Sequence, residues 1–290
     1  MTSAPDDVIY ATPRRGVRTA AREIWAYREL LINLTKRELR SRFRRSFLGW
    51  GWSFLQPILM TAVYALMLGT ILKVTPAPGD PSGIHVFAFF LLSGVVPWNL
   101  FGGGLGAAVG SVANSGSLIT RVWFPRELLP MAAILALGYS ALIETSVLVV
   151  VITVFERVMM LQFLPVLLLL IVLEILFTAG VSLWLAACNV RFKDVEYLTG
   201  VVLLAYFYLT PVLYGIDLIP EKHLIGGFTT RDLSLASPMA RFVMAFRNIV
   251  YDVRMPGLET MLWVAGWSML VFYLGLRFFA RRADYFAEAM

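Results

Sequence analysis

LQFLPVLLLLIVLEILFTAGVSLWLAAC, residues 161–188, carries a single charged side chain, Glu174, in an otherwise mostly apolar run. A bilayer core of roughly 30 Å takes about 20 apolar residues at a rise of about 1.5 Å each, so this stretch reads as a transmembrane helix. Five more apolar runs lie on either side of it, at 51–73, 84–110, 130–155, 197–214 and 258–279, the run at 197–214 being short. Pro76, Pro78, Gly79, Pro81 and Gly83 punctuate the first connection. Pro130 and Pro165 stand near helix starts, where a missing N–H is tolerated. The expected fold is an all-α integral membrane protein. It comprises a tail at 1–21, an amphipathic interface helix at 22–48, a six-helix transmembrane domain at 51–279 and a second tail at 280–290.

Composition agrees, since 59% hydrophobic and 15% charged residues, with a mean hydropathy of +0.73, exclude an ordinary soluble domain. One cysteine, Cys188, cannot form an intramolecular disulfide, and His85 and His223 lie far apart without cysteine neighbours, so no metal site is expected. Residues 1–20 hold Asp6, Asp7, Arg14, Arg15 and Arg18 without an apolar run, so no cleavable secretory signal is expected there. If both termini face the cytoplasm, 18 Lys and Arg residues fall inside and seven outside. That asymmetry predicts a multi-pass protein of the inner or plasma membrane with cytoplasmic termini. In this setting the excess of 25 basic over 19 acidic residues speaks for membrane lipids, not nucleic acid, as the partner of the charge.

Within 22–48, Ile24, Tyr27, Leu31, Leu34, Leu39, Phe43 and Phe47 recur at three- and four-residue spacing, with Arg37, Arg40, Arg42, Arg44 and Arg45 between them. The pattern fits a helix lying on the inner membrane surface or a juxtamembrane stop that sets topology. In the second run Gly102, Gly106 and Gly110 form a four-residue stripe suited to close helix packing. No glycine-rich stretch is followed by the Lys and Ser or Thr of a phosphate-binding loop, so this chain is expected to bind no nucleotide, no cofactor and no metal.

Between the second and third runs, Leu118 to Pro130 holds Arg121, Trp123, Phe124, Pro125, Arg126 and Glu127, too aromatic for a solvated loop. Docking onto a partner and burial against the chain's own helices fit it equally. A second short, charged loop holds Arg191, Lys193 and Asp194 next to two helix ends and is either a second contact for a partner or only a topological staple. Glu144 and Glu174 fall mid-span, where an ionisable group is expensive; they are either part of a transport path or carboxyl groups bonded to neighbouring helices. Tyr206, Phe207, Tyr208, Pro211 and Tyr214 cluster late in the fifth run, where tyrosines are also ordinary interfacial residues. Ser237 as N-cap and Pro238 at the first helical position open an amphipathic helix in the connection at 215–257. This element is expected to be re-entrant, or to lie on the outer surface.

Three of these segments together resemble the membrane subunits of ATP-binding-cassette exporters for polysaccharides such as O-antigen, teichoic acid and cell-wall galactan. They are Arg40-Ser41-Arg42-Phe43-Arg44-Arg45-Ser46-Phe47-Leu48-Gly49 with Trp52 and Pro57, Phe124-Pro125-Arg126-Glu127-Leu128-Leu129-Pro130, and Asn189-Val190-Arg191-Phe192-Lys193-Asp194-Val195. The resemblance implies a homodimer of six-helix subunits around an interfacial channel, driven by two copies of a separate cytoplasmic ATPase that binds ATP and Mg. It further implies that residues 22–46 are an interface helix, that 118–129 form a coupling helix seated on the ATPase, and that helices after Tyr214 gate the exit. Trp98, Phe101, Tyr206, Tyr208 and Tyr214 become candidates to line the path of a lipid-linked glycan. Where many relatives have Asn-Pro before the outer helix, this chain has Ser237-Pro238. An exporter of small lipids or drugs, a membrane-embedded glycolipid enzyme and a membrane scaffold are the alternatives. The enzyme would need a clustered acid, base or metal set, whereas the inner loops offer only Glu127, Asp194 and Glu196, scattered.

Overall fold

The computed structural model describes residues 16–43, 47, 49–71, 73, 77–119, 123–222 and 229–283. Arg44, Arg45, Arg121 and His223 lie outside the described residues. The described helices are α1 (Val17–Ala26), α2 (Arg28–Phe43), α3 (Trp52–Tyr64), α4 (Phe87–Trp98), α5 (Gly104–Val109), α6 (Gly116–Ile119), α7 (Leu128–Glu156), α8 (Leu164–Arg191), α9 (Asp194–Leu209), α10 (Thr230–Ala236), α11 (Pro238–Val250) and α12 (Leu258–Ala280). The chain is an all-α membrane protein. Among the described residues four helical stretches are long and apolar enough to cross a bilayer: Phe87–Val109, Leu128–Glu156, Leu161–Arg191 and Leu258–Ala280. The first expected span is a shorter apolar helix, Leu55–Ile71, and the fifth is α9, which stops at Leu209 instead of running to 214. Thr210 is extended (φ −84, ψ 136) because the ring of Pro211 disfavours the α region for the residue before it.

The helices form where apolar runs permit and end where the backbone is redirected. Pro165 occupies the first turn of α8, where its absent N–H costs no bond, and α7 ends on Arg157 in the left-handed region (φ 56). Phe87–Val109 is not uniform: after Pro97 it widens into a π-helical turn at Asn99–Gly103 before resuming as α5. Such wide turns mark functional positions in helices.

In lipid there is little hydrophobic drive between helices, so close approach decides packing. The tightest approach is between α8 and α12, where a Cβ on Gly275 would overlap the carbonyl of Gly180. The expected stripe behaves differently. Gly110 is tight against Asn114 and Glu196 and Gly102 lies under the Trp98 indole, but a Cβ on Gly106 would meet only open space. Gly106 therefore does not serve helix packing within this chain; Gly104, against Thr178, does.

Two ends can be told apart. At the end bearing the termini, Ala20, Leu34, Phe124, Leu128, Leu183 and Phe279 form one apolar cluster. The expected single amphipathic helix at 22–48 is here two helices broken at Tyr27, whose ring meets Trp123 edge-on at 6.0 Å. α2 packs along α7 with Leu34 and Leu39 buried, so it does not lie free on a bilayer surface. The stretch expected as one coupling helix at 118–129 is also interrupted: α6 ends at Ile119, Trp123–Pro125 are not helical, and α7 begins at Leu128.

At the opposite end α11 is buried among α4, α8 and α12, with Met239, Phe242, Val243, Phe246, Ile249 and Val250 shielded. It is an interior element, not a surface helix. The Ser237 hydroxyl makes no cap bond; it lies 2.6 Å from the Tyr206 hydroxyl and ties α11 to α9. Tyr251 completes this end, accepting from the Ser82 hydroxyl at its carbonyl (2.6 Å) and donating from its phenol to the Ala77 carbonyl.

Candidate functional site

Two adjoining clefts open between α3 and the helices beside it. The first, about 440 Å³, is lined by Arg42, Trp52, Gln56, Pro57, Asn99, Gly103, Leu137, Ser140 and Glu144. The second, about 340 Å³, is lined by Tyr64, Trp98, Gly102, Gly200, Leu203 and Phe207 among others, and shares Gln56, Pro57 and Asn99 with the first. These three side chains are thus a common wall with a polar cleft on one side and an aromatic one on the other. The local fold explains their placement. Pro57 sits inside α3, where a proline leaves a carbonyl free and bends the helix, and Asn99 begins the π-helical turn. Asn99 and Glu144 line the same polar cleft, and the Glu144 Oε2 is buried without a partner.

From the second cleft a chain of rings runs across five helices, α3, α4 with its π-helical turn, α8, α9 and α11. Tyr208 meets Phe207 (5.3 Å), Phe207 meets Trp98 (5.2 Å) and Tyr64 (6.0 Å), and Trp98 meets Tyr206 (5.8 Å) and Phe101 (5.9 Å). Phe101 passes the contact to Phe177 (5.7 Å), and Phe177 to Phe242 of α11 (5.8 Å). Edge and tilted pairs of this kind contribute about 0.5–1.5 kcal/mol each beyond their burial. The ladder joins the cleft to the buried helix at the far end.

Of the residues singled out in the sequence, Trp98, Phe101 and Tyr206 come together in this ladder, with Trp98 alone lining a cleft and Phe101 buried. Tyr208 is exposed, and Tyr214 turns back to donate to the carbonyls of Tyr208 and Leu209. Glu144 lines the polar cleft, and Arg42 of the basic segment reaches the same cleft. Arg37 and Arg40 line a different, exposed groove along α2. Glu174 lines neither; it is fully buried, and both its oxygens lack a hydrogen-bond partner, as does the Thr178 hydroxyl one turn on.

At the termini-bearing end the aromatic loop divides. Phe124, Pro125 and Glu127 are buried against the chain's own helices, while Trp123 is 66% exposed. Arg126 donates to the Ala283 carbonyl, fastening this loop to the end of α12. In the second loop Arg191, Phe192, Lys193 and Asp194 are all exposed. Beneath it, fully buried Asn189 donates to the Val109 carbonyl and accepts from the Glu196 N–H (3.1 Å), joining the ends of three helical segments.

The sequence reading missed several members. Gln56, Asn99 and Ser140 are polar residues in apolar runs, a weaker form of the signal that picked out Glu144. Tyr64, Phe177 and Phe242 look like ordinary apolar filling until the helices are assembled. Arg247 is one of the seven Lys and Arg residues expected on the outer side, and it is buried. Its guanidinium donates to the carbonyls of Pro211 (3.0 Å), Val212 (2.9 Å) and Tyr214 (3.3 Å) and stacks 3.8 Å over Phe90. It thereby satisfies carbonyls of the irregular segment that follows α9. Among the described residues no cluster of His, Cys, Asp or Glu could hold a metal ion.

Residues 29–251 of this membrane helix bundle match the ABC-2 type transporter family, and the chain is a member of it. Among particular relatives, it is 29% identical to the O-antigen export system permease protein RfbA of Myxococcus xanthus, over 93% of this chain and 98% of that one. It is 27% identical to a protein of the same name from Klebsiella pneumoniae, over 76% and 80%, and 25% identical to the polysialic acid transport protein KpsM of Escherichia coli, over 86% and 91%.

Proposed function

We propose that this chain is the channel-forming subunit of an exporter that moves a lipid-linked polysaccharide out of the cytoplasm across the inner or plasma membrane, ATP being hydrolysed by a separate subunit. The observation that carries the reading is the group of rings, Tyr64, Trp98 and Phe207, that lines the second cleft in a chain of this family. Ring faces bind sugar rings through their apolar faces and need no particular sequence of sugars. The named relatives, each an O-antigen or polysialic acid protein, point the same way.

In this reading the chain spans six times, with α3 and α9 as the short first and fifth crossings, and the basic termini-bearing end is cytoplasmic. Two copies pair, and each meets an ATPase through the exposed Trp123, Arg191, Phe192, Lys193 and Asp194. Phe124, Pro125 and Glu127 hold that surface from beneath. Reconstitution of the chain with its ATPase in liposomes tests the whole: a lipid-linked glycan is expected to stimulate ATP hydrolysis. Stimulation by small lipids or drugs alone would support the small-molecule exporter instead.

A further inference from the structure

The polar cleft contains more hydrogen-bonding chemistry than a helix contact needs. Arg42, Gln56 and Asn99 arrive from three separate segments and Ser140 and Glu144 from a fourth, α7, while Trp52 of α3 is 42% exposed beside them. Planar amide, guanidinium and carboxyl groups that converge on one space are matched by neighbouring hydroxyls of a ring, each of which both donates and accepts. An indole beside them supplies a face for the ring's C–H side.

The charge balance argues against a diphosphate as the occupant. A phosphate site gathers several cations or free backbone N–H groups. Among the described residues Arg42 is the one cation that lines this cleft, and the rest of its polar lining, Gln56, Asn99, Ser140 and Glu144, suits the hydroxyls of an uncharged sugar. Position fits as well, because the cleft shares Gln56, Pro57 and Asn99 with the aromatic cleft, so a ring leaving one is beside the rings of the other.

We infer that this cleft is a recognition subsite for a neutral sugar unit, in which Asn99, Glu144 and Gln56 bond ring hydroxyls and Trp52 covers the ring, before the glycan passes to the aromatic ladder. The inference rests on the transport reading above and adds to it the site where the glycan is first held.

The test uses the complex of this chain with its ATPase in lipid nanodiscs and a photoreactive dodecyl maltoside, with labelled peptides located by mass spectrometry. Label is expected in 52–57, 99–103 and 137–144. Excess dodecyl maltoside should compete it away, while dodecanol and dodecyl phosphate should not. Asn99→Leu and Glu144→Leu should each lower labelling at these peptides about fivefold, as loss of a bond to a sugar hydroxyl requires. If either variant fails to assemble, Gln56→Leu and Trp52→Ala carry the same expectation. Competition by dodecyl phosphate alone, competition by dodecanol as strong as by the maltoside, or labelling indifferent to all four substitutions would overturn the subsite. Glycan-stimulated ATP hydrolysis in the unmodified complex alongside indifferent labelling would overturn the subsite and leave the transport reading standing. Sugar-competed labelling without stimulation by any glycan would do the reverse.

Discussion

Glu144 on α7 and Glu174 on α8 carry the same chemistry in neighbouring helices, and the bundle treats them differently. Glu144 stands at the wall of a polar cleft that Asn99 and Arg42 also line. Glu174 is sealed, its oxygens paired with nothing, beside an equally unpaired Thr178. The termini-bearing end repeats the contrast within two consecutive residues, Trp123 facing out and Phe124 facing in. A costly side chain in a membrane protein therefore has no single meaning. Its neighbours on other helices decide whether it meets a ligand, a partner or only the protein.

The contrast between Trp123 and Phe124 can be broken hardest. Phe124→Ala empties a place in the cluster with Leu34, Leu128 and Phe279 and should cost about 3–5 kcal/mol of stability, seen as a lower midpoint of thermal unfolding in detergent. Trp123→Ala should leave that midpoint nearly unchanged and weaken co-purification with the ATPase. Equal losses of stability in the two variants would erase the distinction.

The pair of glutamates gives the next largest effect. Glu174→Leu keeps similar volume and removes a carboxyl that makes no hydrogen bond, so it should stabilise the chain by about 1–3 kcal/mol, the usual cost of a buried unsatisfied polar group. Export of glycan from loaded liposomes should change by less than about twofold. Glu144→Leu should do the opposite: little change in the unfolding midpoint, and about a tenfold fall in export, which corresponds to about 1.4 kcal/mol. If Glu174→Leu abolishes export while the fold holds, Glu174 belongs to the path after all.

What could be read in advance follows from the same physics. α7, α8 and α12 were legible because each is a long apolar run that lipid requires to be helical. The break at Tyr27 was not, because nothing in Ala26-Tyr27-Arg28 forbids a helix and the contact that accompanies it is to Trp123, almost a hundred residues away in sequence. Three rings of the aromatic ladder, Tyr206, Phe207 and Tyr208, were legible as a cluster near Pro211. The first cleft was illegible as a whole, since Arg42 and Glu144 stood out for other reasons while Gln56, Asn99 and Ser140, in three different apolar runs, did not stand out at all. Ser237 shows the limit of local grammar: its position is that of a cap, yet its hydroxyl is taken by Tyr206.

That last pair supplies the smallest and most specific effect. Tyr206→Phe keeps the ring against Trp98 and Phe101 and removes only the hydroxyl 2.6 Å from Ser237. The loss of one partly buried hydrogen bond should cost about 0.5–1.5 kcal/mol. It falls on the tie between α9, which lines the aromatic cleft, and α11, which carries Phe242 at the ladder's far end. Ser237→Ala should cost a similar amount, and the double variant should cost little more than either single one, because the two hydroxyls share one bond. Tyr206→Ala, by contrast, removes the ring as well and should lower export beyond what its stability loss explains. Strictly additive losses in the double variant would show that the hydroxyls act apart. The ladder would then reach α11 only through Phe177 and Phe242, leaving the sugar path and the far-end helix mechanically independent at α9.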